Sequence, residues 1–233
     1  MTLICKGILT NKQRRYLKFK RAFDVFFALF LLIILWPIML ISAVWVKLES
    51  PGSIIFSQKR PGYHQKIFKI YKFRSMRIDT TSDKGFPLSD KERLTISGRV
   101  LRKTSIDELP QLINILKGEM SFIGPRPFLI NDLGNYSEEQ LVRFEVLPGI
   151  SSWTAIHGRN MLTIQDKYNL EIYYVNNIGF KIDLQIFLKT IVLVLMQKNI
   201  EDYINKEIPA SQIISDEVDH EKYFCSGSGG APR

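Results

Sequence analysis

VFFALFLLIILWPIMLISAVWV, residues 25–46, runs for 22 residues without a charge. At the rise of an α-helix that is about 33 Å, the thickness of a bilayer's hydrocarbon core. Pro37 interrupts it, because proline offers no amide hydrogen to the Ile33 carbonyl and its ring crowds the preceding turn. The parts before and after the interruption, 12 and 10 residues, are each about half a bilayer deep. Two paths fit: a Pro-kinked spanning helix, or a helix-break-helix that leaves by the face it entered.

Working outward, Lys12, Arg14, Arg15, Lys18, Lys20 and Arg21 precede the run, and Lys47, Lys59, Arg60 and Lys66 follow it. A true span normally carries its basic excess on one side, so charge on both flanks favours the re-entrant path with both ends cytoplasmic. The run is longer than a signal-peptide core and no small-residue cleavage site closes it. Setting aside the basic arm, the apolar run and a polar tail, about 150 residues remain for one domain. The formal net charge of +9 suits nucleic acid, anionic lipid or a phosphorylated substrate. Beside a membrane segment, lipid and phosphate are favoured, and no nucleic-acid-reading motif is present. Cys5 and Cys225 lack metal-ligand spacing, and two distant cysteines are consistent with a reducing compartment. The closing SGSGGAPR has the composition of a flexible linker.

SIIFSQ and KIFKIYKF, on either side of Arg60-Pro61-Gly62, predict a β-hairpin. Residues 79–92 are polar and predict an exposed loop. A helix is expected from Ser137 to about Val146 and another over 163–176, the first stopped by Pro148-Gly149. Leu184, Phe187, Leu188, Ile191, Val192 and Leu195 make one apolar stripe, too short to span, that suits either core packing or a membrane surface.

The chemistry concentrates in TSIDELPQLINILKGEMSFIGPRP, residues 104–127. Pro110 is tolerated in a helix's first turn, so Asp107 and Glu108 are expected at its mouth. Leu109, Leu112, Ile113 and Leu116 would form the buried face, with Lys117-Gly118 as the stop. A carboxylate at a helix start is kept ionised by the dipole and free amides, and an ionised carboxylate is a usable nucleophile. Glu108 points about 100° away, so the pair divides its work, and magnesium suits the second acid. A structural alternative stands beside this: Ser105-Ile-Asp-Glu108 also spells a capping box. Arg126, between Pro125 and Pro127, carries the fork that grips phosphate oxygens on a stiff backbone; its alternative is a surface turn with a salt bridge.

These stretches together resemble the bacterial sugar transferases, the monotopic phosphoglycosyl transferases that begin glycan assembly on a polyprenol phosphate. The resemblance covers about residues 20–200 and rests on KRAFD before the apolar run, QKRPG from Gln58, YKFRSM from Tyr71, LRKTSIDELPQLINILKGEMSFIGPRP from Leu101, LPGISSW, and GRN at Gly158 to Asn160. It implies an α+β, mainly helical fold: a basic arm (1–21), a re-entrant membrane helix-break-helix (22–47), a catalytic domain (48–200) with a small hairpin and interfacial amphipathic helices, and a polar tail (201–233). It implies placement on the cytoplasmic face of the bacterial inner membrane. It further implies that Asp107 attacks the sugar-linked phosphate of a UDP-sugar, releasing UMP, and that polyprenol phosphate then collects the phosphosugar. Glu108 corresponds to the acid that helps hold Mg2+, and Lys72, Arg102, Arg126 and Arg159 to binding residues for substrate or carrier phosphates. Residues 148–160 read PGISSWTAIHGRN, where the family usually reads close to PGITGWAQVNGRN, so sugar or uridine selectivity is expected to differ. His157 is read as a structural donor or a sugar contact, and Trp153 as core. The competing class is a non-catalytic membrane adaptor binding anionic lipid.

Overall fold

The structure is a computed structural model that describes residues 9–78, 89–130, 133, 136–158 and 162–195. It begins with α1 (Asn11–Glu49), 39 residues long. Thr10 starts this helix with a reciprocal cap: its hydroxyl accepts from the Gln13 N–H, and its own N–H donates to Gln13 Oε1 at 2.8 Å. The helical pattern runs through Pro37, so the expected interruption is not present as a gap; one missing hydrogen bond can kink a helix without ending it. The most apolar stretch of α1 leaves all but 11% of its residues unburied. Phe26, Ile33, Trp36 and Ile41 are all more than half exposed. A core helix would bury such a surface, so α1 is long enough, apolar enough and bare enough for association with a membrane.

β1 (Ile55–Pro61) and β2 (Ile67–Phe73) form the expected antiparallel hairpin, with Phe56 opposite Lys72 and Arg60 opposite Phe68. After α2 (Asp90–Arg93), α3 (Ile96–Lys103) starts at Thr95, whose hydroxyl accepts from the Gly98 N–H at 2.9 Å. A 3-10 turn (Ile106–Glu108) precedes α4 (Gln111–Lys117), which Gly118 ends at φ +82°. The helix thus begins four residues after Asp107, later than the sequence predicts, because Pro110 occupies its cap position. Its buried face also differs: Leu112, Asn114 and Ile115 are inside, while Ile113 is 40% exposed.

β3 (Ser121–Ile123) pairs in parallel with β4 (Gly149–Ser151), a second sheet that the sequence does not announce. Its strands are three residues long, too short for any alternation to register. A Cβ on Gly149 would lie 2.1 Å from the Gly124 nitrogen, so the two backbones approach as only glycine permits. Between them, residues Glu139–Glu145 form a 3-10 helix where an ordinary helix was expected. The chain closes with α5 (Trp153–Ile156), α6 (Ile164–Asn176) and α7 (Phe180–Leu195), and α6 occupies the predicted span. On α7, Ile182 and Ile186 face the core, whereas Leu184, Phe187, Leu188, Ile191 and Val192 lie exposed. From Leu184 to Val192 the predicted stripe is therefore the outer face.

KRAFD docks α1 on this body. Lys20 Nζ lies 2.5 Å from Asp183 Oδ2 of α7, Arg21 donates to the Ile115 carbonyl at 2.6 Å, and Asp24 accepts from the Phe122 N–H at 3.4 Å. Farther along α1, Ala28 packs with Phe68, Ile70 and Leu112, and Val46 with Phe73 and Leu101. Glu49 then accepts from the first amides of α3, Ile96 at 2.5 Å and Ser97 at 2.7 Å.

Candidate active site

Ser105 connects α3 to the 3-10 turn at φ +57°, and its side chain makes no cap hydrogen bond. The capping-box alternative is therefore not realised. The left-handed residue reverses the chain sharply instead, and turns residues 106–108 back toward β2. Asp107 is 7% exposed. Glu108 Oε1 receives Lys72 Nζ from β2 at 2.6 Å, and Arg126 Nη2 lies 4.0 Å from the same oxygen. Three sequence-predicted residues on three separate segments thus meet around one carboxylate oxygen.

A cleft of about 810 Å³ opens here, lined by Lys72, Arg77, Arg93, Arg102, Asp107 and Glu108 among others. With Arg60 and Arg74 also on its wall, six cationic side chains face two carboxylates, a surplus of four positive charges. Such a balance favours a polyanion. Arg102 is oriented by its Nε donating to Ser75 Oγ at 2.8 Å. Arg74 serves the scaffold: its guanidinium donates to the Pro51 carbonyl at 2.6 Å and the Ser50 carbonyl at 2.7 Å, closing the end of α1. A larger cavity of about 1050 Å³ lies along the first turns of α1. It contains neither member of the acid pair, both of which line the smaller cleft.

Arg159 lies outside the described residues. His157 places Nδ1 2.8 Å from the Trp153 carbonyl and its ring 4.3 Å from that indole, a structural engagement. Trp153 is 4% exposed and belongs to the core, as read from the sequence. Arg60, Arg77 and Arg93 also line the cleft, and the sequence pattern does not single them out for it. Arg93 follows directly on residues 79–92, whose polarity reads as loop, and the Arg77 N–H reaches the Arg93 carbonyl at 2.8 Å only through folding.

Among the described residues no cluster of three or more metal-binding side chains occurs. The adjacent carboxylates of Asp107 and Glu108 are still the kind of donor set that Mg2+ accepts, since it usually takes one or two carboxylates and completes its shell with water and substrate phosphates.

Comparison with known proteins places the chain among sugar transferases. The chain is 46% identical over 182 residues to the uncharacterized sugar transferase EpsL of Bacillus subtilis (strain 168), covering 78% of this chain and 90% of that one. It is 34% identical to the undecaprenyl-phosphate galactose phosphotransferase of Salmonella typhimurium, across 84% of this chain and 44% of the relative. It is 35% identical to the UDP-glucose:undecaprenyl-phosphate glucose-1-phosphate transferase of Xanthomonas campestris pv. campestris, across 75% of this chain and 38% of the relative. The chain therefore spans less than half the length of the last two. Residues 15–197 match the family described as Bacterial sugar transferase, and the chain belongs to that family.

Proposed function

We propose that this protein transfers a phosphosugar from a UDP-sugar to undecaprenyl phosphate, releasing UMP, as the first membrane step of a bacterial polysaccharide or glycoconjugate. The observation that carries the reading is the acid pair, with Lys72 and Arg126 converging on Glu108 in a cationic cleft of a chain that bears a bare apolar helix. A diphosphate and a lipid phosphate both need such charge, and the lipid needs the membrane.

In the first step a carboxylate oxygen of Asp107 attacks the sugar-linked phosphorus, forming an acyl-phosphate bond as the bond to UMP breaks. In the second, an oxygen of undecaprenyl phosphate attacks the same phosphorus, the acyl-phosphate bond breaks, and the Asp107 carboxylate is regenerated beside an undecaprenyl-diphosphate sugar. Lys72, Arg102, Arg126 and Arg159 hold substrate and carrier phosphates, with Lys72 also fixing Glu108. Glu108 is the residue that would hold Mg2+, which when bound offsets diphosphate charge and assists the leaving group. The low exposure of Asp107 limits competing attack by water.

The domain formed by residues 48–200 would sit on the cytoplasmic face with α1 re-entrant. Basic residues on both flanks support that path, as does the packing of Ala28 and Val46, on either side of Pro37, against the same strand β2. UMP release is the test, using a panel of UDP-hexoses and UDP-N-acetylhexosamines with Mg2+ and undecaprenyl phosphate. Native protein should release UMP and carry a phosphosugar on Asp107 when the carrier is omitted, and Asp107→Asn should do neither. An adduct on another side chain would overturn the assignment, and silence across the panel would favour the adaptor.

A further inference from the structure

We infer that Glu171 of α6 and Arg143 of the 139–145 turn are positioning residues that hold Arg126 by its backbone and so aim its side chain at the acid pair. The inference deepens the proposed function and rests on its reading of Arg126 as a phosphate ligand. In Pro125-Arg126-Pro127 the prolines have no N–H, so Arg126 has the single amide hydrogen of the turn. That hydrogen goes to Glu171 Oε1 at 3.2 Å. The Arg126 carbonyl accepts from Arg143 Nη2. The backbone of Arg126 is thus gripped by a carboxylate on one side and a guanidinium on the other, while its own guanidinium reaches to 4.0 Å from Glu108 Oε1.

Both gripping groups are set firmly. Glu171 is fully buried and also accepts from the Thr154 hydroxyl. Arg143 is 4% exposed, donates to the Tyr136 hydroxyl at 3.1 Å and lies 4.1 Å over the Phe128 ring. Neither lines the cleft. Buried opposite charges contribute little to stability relative to well-packed apolar residues, and Glu171 Oε2 has no hydrogen-bond partner here. Stability is thus a poor account of the pair; holding a turn whose prolines cannot donate is a better one. A displacement of about 1 Å at a reacting group can cost on the order of 100-fold in rate.

The experiment follows kcat/KM for UMP release, with undecaprenyl phosphate and the UDP-sugar the native protein turns over fastest, alongside thermal unfolding. Replacing the charged pair together, Glu171→Leu with Arg143→Met, leaves no buried charge unpaired and should keep the melting temperature near native. It should still lose roughly 10- to 100-fold in kcat/KM. Combined with Arg126→Ala, it should cost nothing beyond Arg126→Ala alone. Glu171→Gln restores an acceptor for the Arg126 N–H and should retain the greater part of native turnover. Native turnover in the Leu/Met protein, or losses that multiply with Arg126→Ala, would overturn the inference. So would a Glu171→Gln loss as large as that of Arg126→Ala, which decides the matter if the Leu/Met protein does not fold. Native turnover by Arg126→Ala would instead locate the failure in the reading of Arg126 itself and remove the inference with it.

Discussion

Asp183→Ala should unfasten the apolar helix α1 from the body it docks on, and its cost can be worked from the contacts. Asp183 Oδ2 receives Lys20 Nζ at 2.5 Å and the Tyr16 hydroxyl at 2.7 Å, and Oδ1 receives the Tyr174 hydroxyl at 2.8 Å. Lys20 is 8% exposed and Tyr174 fully buried. Removing the carboxylate leaves the buried ammonium without its ion-pair partner, bonded to the Tyr174 hydroxyl at 3.1 Å, and takes an acceptor from two tyrosine hydroxyls. Breaking one side of a buried pair costs about 3–5 kcal/mol. At about 2–4 °C per kcal/mol for a chain of this size, the melting temperature should fall by roughly 6–20 °C. Thermal unfolding of the detergent-solubilised protein, followed by tryptophan fluorescence, measures this. Adding Lys20→Met should recover most of the loss, because the ammonium that lost its partner is then gone while Arg21 still offsets the buried Asp24. A single variant melting within about 2 °C of native, or a double variant as unstable as the sum of its parts, would refute the reasoning.

Glu49→Gln should cost about 1 kcal/mol, the usual worth of a helix cap. Partial burial pushes the Glu49 carboxyl up, but hydrogen bonds from Ser97 and Ile96 outweigh it and hold the group below its ordinary value. The native advantage should therefore be full above about pH 4.5 and shrink as pH falls through the depressed folded value, as melting curves across pH would show. Glu171 has the opposite sign: burial raises it, with Arg143 and the Thr154 hydrogen bond opposing. Its folded form holds the proton longer than the unfolded chain, so stability falls as pH rises from about 4.5 through the raised folded value. The melting-temperature gap of Glu171→Gln over native should widen in that direction, and a constant gap would contradict it. Gly149→Ala should destabilise by at least about 1–3 kcal/mol, because the new methyl meets backbone that cannot yield; native-like melting would remove the close approach to Gly124.

The amino-acid sequence by itself determined the features whose causes are local. An uncharged stretch around Pro37, basic flanks, alternation on either side of Pro61-Gly62 and the helix begun by Thr163 can all be read from neighbouring residues. The local pattern singled out Asp107, Glu108 and Arg126, the family resemblance added Lys72, Arg102 and Arg159, and folding brought Lys72, Glu108 and Arg126 together. Tertiary structure alone decided the rest. Ser105 turned out to be a left-handed reversal and not a cap, because two uses of the same four letters differ only in where the chain goes next. The parallel pairing of β3 with β4 depends on residues 28 positions apart, Ser121 and Gly149. KRAFD is an anchor because Asp183 comes within reach of Lys20 across 163 positions. Glu171 and Arg143 carry no signal of their own in the sequence; folding buries them beside a turn with one amide to give. Periodicity and capping are properties of a short segment, whereas the partner of a buried charge is chosen by the packing of the whole chain.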